Sequence, residues 1–264
     1  MKKYFILICV VLLLVPFVKG ASPSVTNLAV NNPIDLLGNS VATISCNASI
    51  SDEAGWEDIS LVNATFWHSS STETSNDDEN DHYTNSSCSF GTNTSSTEFK
   101  AICSFALEYY TNPGNWTCKI RAYDSSSEGN NQIDTIVNSL LALSFPNAIN
   151  FGAFSLGETS TDLTENVTNI INTGNTLIDV RLSGSNLVCT SGSIPVSNVK
   201  YSDIDDTLYS SMNSLSGDLT TLDLNIPPRT TTISTKDIFW KISIPNTGAG
   251  GSCTNSITFS AIAG

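Results

Sequence analysis

The residues of this sequence best suited to chemistry are acidic. Carboxylates crowd two short segments, Asp52, Glu53, Glu57 and Asp58 in the first, and Asp77, Asp78, Glu79 and Asp81 in the second. Ca²⁺ prefers several carboxylate and carbonyl oxygens, but neither segment has the glycine that the D-x-[DN]-x-[DN]-G loop requires. Solvated loop carboxylates are the simpler interpretation, so no cofactor is expected. Calcium at Asp52, Glu53, Glu57 and Asp58 is the alternative, with Asp124, just past a predicted strand, as a further ligand.

The other reactive residues form no enzyme motif. The two histidines, His68 and His82, flank the polar segment 72–81, which predicts exposed loop side chains on a mobile loop. The patterns G-x-S-x-G and H-E-x-x-H are absent. No pair of carboxylates stands out for glycoside hydrolysis. Trp56, Tyr109 and Tyr110 could stack on sugar rings, although core packing explains them more simply. We therefore expect no enzyme.

The N-terminus and the charge indicate where the protein works. Residues 1–20, MKKYFILICVVLLLVPFVKG, have the basic start and short apolar run of a secretory signal peptide. No apolar stretch of about 20 residues follows, so no transmembrane segment is expected in the mature chain. The formal net charge of −14 disfavours nucleic acid as a partner. The protein is expected to be secreted, extracellular or at the cell surface.

Export changes the interpretation of the asparagines and cysteines. Six N-x-Ser/Thr sequons are glycosylation candidates, at Asn47, Asn63, Asn85, Asn93, Asn115 and Asn166. Outside the signal peptide there are six cysteines, which in an oxidising compartment are expected to form disulfides. Fifteen connectivities are open to six cysteines. A metal site would need ligand pairs at close spacing, and no C-x-x-C occurs.

Short alternating apolar runs separated by turn residues recur along the chain and predict an all-β protein. The predicted strands of the first half are Ser24–Val30, Ser40–Ile50, Ile59–Trp67, His82–Phe90, Glu98–Tyr110, Asn115–Tyr123 and Ile133–Leu143. Those of the second half are Ile149–Phe154, Glu165–Asn172, Thr176–Ser183, Ser193–Val196, Thr220–Ile226, Asp237–Ile244 and Ser256–Ala263. A short helix is expected within Asp203–Leu215, and a hairpin at Asn172–Asn175. The domains are predicted as 21–145 and 146–264, two tandem antiparallel β-sandwiches.

The order Cys46, Trp67, Cys118 resembles the immunoglobulin-like sandwich, in which a disulfide joins the sheets beside a buried tryptophan. The resemblance implies a Cys46–Cys118 bond and places Trp116 where that family often has the tyrosine of its corner. Cys88 and Cys103 flank a polar loop and would bridge neighbouring strands. Cys189 and Cys253 remain as the pair of the second half.

The second half resembles accessory sandwich domains of prokaryotic, often archaeal, envelope proteins. The residues that carry the resemblance run from Ile149-Asn150-Phe151-Gly152 through Gly157-Glu158-Thr159 to Ile257–Ala261. The expected function is a non-catalytic protein of adhesion or surface structure, with other surface proteins, glycans or its own copies as partners. The alternative is a filament subunit that donates Ala21–Asn31 or Ser256–Ala263 to the next subunit. A carbohydrate-active enzyme ranks below both.

Overall fold

The computed structural model describes residues 20–264, and the predicted signal peptide lies outside them except for Gly20. The described chain is almost entirely β-structure, broken by single 3-10 turns such as Trp56–Asp58. The strands of the first half are β1 (Ser24–Ala29), β2 (Ala42–Ser51), β3 (Leu61–His68), β4 (His82–Asn85), β5 (Ser89–Asn93), β6 (Glu98–Leu107), β7 (Gly114–Tyr123) and β8 (Glu128–Val137).

These strands form an immunoglobulin-like sandwich. One sheet has the order β1-β2-β6-β5 and the other the order β4-β3-β7-β8. Lettered along the chain, this is ABED against CFG with one added strand, the arrangement of immunoglobulin-like domains. Inward-facing residues alternate along β6 and β7, so both strands bury one face. The first core lies between the two sheets and includes Ile44, Phe66, Phe99 and Trp116.

The disulfides tie this core together. Cys46–Cys118 joins β2 to β7 and therefore links the two sheets. Cys88–Cys103 fastens the crossing between β4 and β5 to β6. The single strand predicted over His82–Phe90 is thus two strands in opposite sheets, because the chain changes sheets at Cys88.

The buried tryptophan of the first core is Trp116 rather than Trp67. Side chains alternate along a strand, and on β3 Phe66 faces the core while Trp67 points to the other face and is only half-buried. Phe66 stacks on Trp116 with ring centroids 4.7 Å apart. The indole Nε1 of Trp116 donates to the carbonyl of Asn112 at 2.8 Å, so the indole makes the backbone contact that a corner tyrosine would make.

The polar segment 72–81 is held in place rather than free. The carboxylate of Glu73 contacts Arg121 and accepts a hydrogen bond from Lys119 Nζ at 3.1 Å. The carbonyl of Glu79 accepts a hydrogen bond from Thr111 Oγ1 at 3.2 Å. The segment predicted as a mobile loop therefore has contacts with Lys119 and Arg121 on β7 and with Thr111.

The second sandwich contains the remaining strands. They are β9 (Leu143–Ser144), β10 (Asn166–Asn172), β11 (Ile178–Gly184), β12 (Leu187–Ile194), β13 (Val199–Ser202), β14 (Asn213–Ser214), β15 (Thr220–Ile226), β16 (Thr235–Ile242), β17 (Ala249–Thr254) and β18 (Ile257–Ala263). A sheet of order β14-β13-β16-β10-β9 and a sheet of order β15-β11-β18 enclose a second core around Trp240 and Tyr201. The pair β12-β17 carries the Cys189–Cys253 disulfide.

Several expectations for this half differ from the structure. The strand predicted at Ser193–Val196 is the end of β12, which stops at Ile194 because Pro195 precedes the 3-10 turn Val196–Asn198. Residues 149–154 form no strand and run as irregular chain whose Ile149, Phe151 and Phe154 pack on the second core. The helix expected in Asp203–Leu215 is reduced to a 3-10 turn at Tyr209–Ser211. Asn172–Asn175 is no hairpin, because β10 and β11 belong to different sheets.

That crossing turn is part of the contact between the sandwiches. Asn175 is 2% exposed, and its Nδ2 donates to the carbonyls of Thr111 at 3.0 Å and Asn138 at 3.1 Å. Its Oδ1 accepts from the N–H of Leu140 at 2.6 Å. The guanidinium of Arg229 lies 4.5 Å from the ring centroid of Tyr110. The two halves are therefore joined by buried polar contacts as well as by the chain itself.

Candidate functional site

Three carboxylates meet at one end of the first sandwich. Asp52 follows β2, Asp58 ends the 3-10 turn before β3, and Asp124 follows β7. The ends of β2 and β7 and the start of β3 lie at the same end of the sandwich, since β3 and β7 are antiparallel with Leu61 opposite Tyr123. One carboxylate oxygen of each residue lies within 4.8 Å of the other two. We call these three residues the acidic tip.

The local fold explains how each carboxylate is positioned. The backbone N–H of Asp52 donates to the carbonyl of Thr97 at 3.0 Å, which fixes the start of the β2–β3 connection. Trp56 opens the 3-10 turn and packs edge-on against Phe99 with ring centroids 6.3 Å apart. This contact anchors the turn on the core and brings Asp58, two residues later, over the end of the sheet.

The acidic tip is partly withdrawn from water. Asp52 is 5% exposed and Asp124 is 9% exposed, while Asp58 is the most accessible of the three. Asp52 Oδ1 accepts a hydrogen bond from the N–H of Ala54 at 2.7 Å. Its Oδ2 is buried without a hydrogen-bond partner. Leaving a buried acceptor unpaired costs about 1–3 kcal/mol, and more when the group is charged.

Asp124 is held in its ionised form. Its pKa is lowered from the ordinary value of 3.8, chiefly by the hydrogen bond from the backbone N–H of Ser126 and further by Ser127. The Ser126 N–H lies 2.6 Å from Asp124 Oδ1, and the Ser127 hydroxyl lies 2.8 Å from Oδ2. Donors aimed at a carboxylate favour the charged form. The tip therefore keeps negative charge in a partly buried place.

The predicted acidic residues are only partly brought together. Glu53 and Glu57 are exposed and do not belong to the acidic tip, whereas Asp124 does. Asp77, Asp78, Glu79 and Asp81 do not form a cluster of this kind within residues 20–264. Glu79 instead accepts a hydrogen bond from the Tyr110 hydroxyl, and burial together with that bond raises the pKa of Tyr110.

Sequence reasoning missed a second carboxylate group, formed by Glu165, Asp205 and Asp206. Here a lysine supplies the positive charge. Lys241 is 1% exposed, its Nζ contacts Asp162, lies 3.3 Å from Glu165 Oε2 and donates to the carbonyl of Thr207 at 2.8 Å. Burial raises the pKa of Glu165, and the neighbouring Asp205 carboxylate, which accepts a hydrogen bond from Glu165 only when Glu165 is protonated, raises it further. The signal in the sequence was a lysine between Trp240 and Ile242 on a core strand.

His82, Tyr109 and Tyr110 are all buried inside the fold. His82 lies on β4 and is 1% exposed, so the prediction of an exposed loop histidine is wrong for this residue. Its Nδ1 lies 3.0 Å from Asp77 Oδ1, and its Nε2 lies 3.2 Å from the carbonyl oxygen of Glu73. It is buried because segment 72–81 folds back over it. Tyr109 and Tyr110 are buried. Burial raises the pKa of Tyr83 to about 12.

The six sequons differ in accessibility. Asn47, Asn93 and Asn115 are exposed, and Asn63 is half-buried on β3. Asn85 is half-buried and its Nδ2 donates to the carbonyl of Ser104 at 2.9 Å. Asn166 is half-buried next to Thr168, which is 1% exposed. The first three therefore have room for a glycan in the folded chain.

Two grooves open at the surface. A groove of about 760 Å³ lies in the second sandwich between the irregular segment 145–156 and β17. A groove of about 900 Å³ lies where Arg229, Thr230 and Thr231 approach the first sandwich, and it is lined by Asp77, Asp78, Glu79 and Glu108.

Within the described part of the chain, no helix has the length and apolar character needed to cross a membrane.

Comparisons with known proteins give no family. No protein-family model matches the chain, and no curated protein does. Among solved structures the chain is similar to Escherichia coli alpha-2-macroglobulin activated by porcine elastase, at 11% identity and a TM-score of 0.28 over 91% of this chain. The chain spans 22% of the length of that protein.

Two further similarities cover both chains almost fully. One is a chimeric titin Z1Z2 functionalised with a KLER exogenous peptide from decorin, at 12% identity and a TM-score of 0.23, over 92% of this chain and 95% of that one. The other is the C-terminal domain of the Streptococcus agalactiae AgI/II polypeptide BspA, at 11% identity and a TM-score of 0.24, over 91% and 95%. At these TM-scores they add nothing to the fold, which rests on the strand order described above.

Proposed function

We propose that this protein is a secreted or envelope-associated, non-catalytic component of adhesion or surface structure. The observation that carries the proposal is the connection between the two sandwiches. Asn175 of the second sandwich bonds to the carbonyls of Thr111 and Asn138, and Arg229 covers Tyr110. A connection of this kind holds two domains in one orientation, as a spacer or contact module at a surface requires.

The disulfides support a location outside the reducing cytosol. Disulfides persist in oxidising compartments, and each sandwich contains at least one of them. The exposed sequons Asn47, Asn93 and Asn115 would add glycans that protect the first sandwich. Together with the predicted signal peptide, these features favour export. Contacts with other surface proteins or glycans would use the loops at the sandwich ends.

The filament alternative needs a free strand. Both proposed donor segments are paired within the chain, β1 with β2 and β18 with β11, the latter from Ile178 opposite Ala263 to Gly184 opposite Ile257. A subunit that polymerises by strand donation would first have to release one of them. A carbohydrate-active enzyme would need two accessible carboxylates facing a sugar cleft, whereas Asp52 and Asp124 of the acidic tip are only 5% and 9% exposed.

The experiment that tests the proposal is surface labelling of intact source cells. A membrane-impermeant biotin reagent should label the lysines of the protein, and limited external protease should remove it, while a cytosolic marker stays unlabelled. Deleting the gene should reduce attachment of the cells to one another or to a solid surface. Recovery of the protein with free thiols in the cytosol would contradict export, and measurable turnover of a polysaccharide would contradict the non-catalytic assignment.

A further inference from the structure

We propose that the acidic tip, Asp52, Asp58 and Asp124, binds one Ca²⁺ ion. The first support is distance. Ca²⁺ holds oxygen ligands at about 2.3–2.6 Å, so ligands of one ion lie within roughly 5 Å of each other. One oxygen of each carboxylate meets this requirement, since the three lie within 4.8 Å of one another.

The second and independent support is the unpaired oxygen of Asp52. This side chain is 5% exposed, and its Oδ2 is buried without a hydrogen-bond partner, although Oδ1 is satisfied by the N–H of Ala54. A buried carboxylate oxygen that no donor reaches is strongly disfavoured unless a cation completes it. The acidic tip supplies the other two carboxylates that such a cation requires.

The third support is the missing counter-charge. Across residues 20–264, none of the three carboxylates forms an ion pair with a lysine or arginine. In the second carboxylate group, by contrast, Lys241 Nζ lies 3.3 Å from Glu165. Like charges this close repel one another, and the repulsion is relieved by a proton or by a cation. A bound cation would relieve this repulsion with all three carboxylates ionised.

The ligand types select calcium among the divalent metals. The tip offers only oxygen, so it lacks the histidine and cysteine ligands that zinc prefers. Mg²⁺ demands near-ideal octahedral geometry and is usually held by one or two carboxylates, whereas Ca²⁺ accepts six to eight oxygens in flexible geometry. Water and backbone carbonyls would complete the shell. A bound ion would tie the β2–β3 connection to the β7–β8 turn.

The test is calcium binding by residues 21–264, purified with intact disulfides and stripped with a chelator. Isothermal titration should show one Ca²⁺ per chain with a Kd near the 10⁻⁴–10⁻³ M typical of extracellular modules, and the ion should raise the Tm. Tb³⁺ should bind the same site and luminesce when Trp56, two residues from Asp58, is excited. Mg²⁺ should bind at least tenfold more weakly.

The deciding variant is Asp58→Asn, because Asp58 is the most accessible ligand and the change should leave the fold intact. It should weaken Ca²⁺ binding at least tenfold and leave the Tm in chelator unchanged. Glu57→Gln removes the same charge from the next position and should bind Ca²⁺ as the wild type does. Asp205→Asn controls for the second carboxylate group. Wild-type protein that neither binds nor is stabilised at about 10 mM Ca²⁺, or an Asp58→Asn variant that binds unchanged, would overturn the proposal.

Discussion

The side-chain amide of Asn175, in the second sandwich, donates to the backbone carbonyl of Thr111 in the first at a distance of 3.0 Å. Asn175 is 2% exposed and Thr111 is fully buried, so the hydrogen bond lies inside the contact between the sandwiches. The same side chain accepts from the N–H of Leu140 in the connecting segment. One residue of the second sandwich therefore satisfies backbone groups of the first sandwich and of the connecting segment.

Replacing this residue should weaken the junction. Asn175→Ala leaves the N–H of Leu140 and the carbonyl of Thr111 without partners, and we expect a loss of about 2–3 kcal/mol in the free energy of unfolding. The variant should also show a broader distribution of domain orientations in small-angle scattering. Asn76→Ala, at an exposed position, is the control. Equal stability and equal scattering for the two variants would show that Asn175 does not fix the junction.

The disulfide between the sheets should contribute more to stability than the one beside it. Cys46 and Cys118 are 72 residues apart in sequence, whereas Cys88 and Cys103 are 15 apart. In the chain-entropy model the longer loop is worth about 4 kcal/mol and the shorter about 3 kcal/mol. Urea unfolding of the two double-alanine variants should therefore show a lower midpoint for Cys46→Ala/Cys118→Ala. The reverse order would mean that native contacts, rather than loop length, dominate.

Lys241 should be intolerant of neutral replacement despite lying on a core strand. Lys241→Met leaves Glu165, whose side chain is 8% exposed, without its cation, and removing one partner of a buried ion pair costs about 3–5 kcal/mol. Asp162 is 49% exposed, so water solvates it and its pairing adds little. Lys236→Met on the same strand is exposed and should change stability by less than about 0.5 kcal/mol. Thermal unfolding of both variants measures the difference. A stable Lys241→Met protein would show that the carboxylates are neutralised in another way.

Asp124 should make stability depend on pH in acid. Its folded pKa lies below the ordinary value of 3.8, so the carboxylate stabilises the fold above that value and loses this effect as the pH falls through the folded pKa. In calcium-free buffer, Asp124→Ala should therefore flatten the decline of the unfolding free energy below about pH 4. Urea titrations between pH 2.5 and 5 measure the slope, with exposed Asp218→Ala as the control. Parallel slopes for wild type and Asp124→Ala would contradict the assignment.

The resemblance to immunoglobulin-like domains predicted the first sandwich but misassigned its central residue. The order of Cys46, Trp67 and Cys118 is visible in the sequence, yet a shift of one position along a strand moves a side chain to the opposite face. The pairing of β3 with β7 places Phe66 opposite Cys118 and so turns Trp67 away from the core. Trp116 takes the buried place through its contact with Phe66 and its bond to Asn112.

The acidic tip, like the first sandwich, was predictable from the sequence only in part. Asp52 and Asp58 are close in sequence, and their clustering could be predicted, but Glu53 and Glu57 share that spacing and remain in solvent. Asp124 joins the tip only because β7 ends beside the start of β3. The approach of Glu165 and Asp205, 40 positions apart, and the contact of Glu165 with Lys241 were not predictable from local pattern at all.

By itself, the sequence determined the all-β fold and the positions of most strands, because alternation of apolar side chains and turn residues acts over a few neighbouring positions. It also determined that six cysteines beyond residue 20 are available for disulfides. Only the tertiary structure decided which sheet each strand joins, that Asn172–Asn175 crosses between sheets, and which carboxylates meet. These features depend on contacts between residues far apart in the chain, whose energies arise only when the two sheets pack.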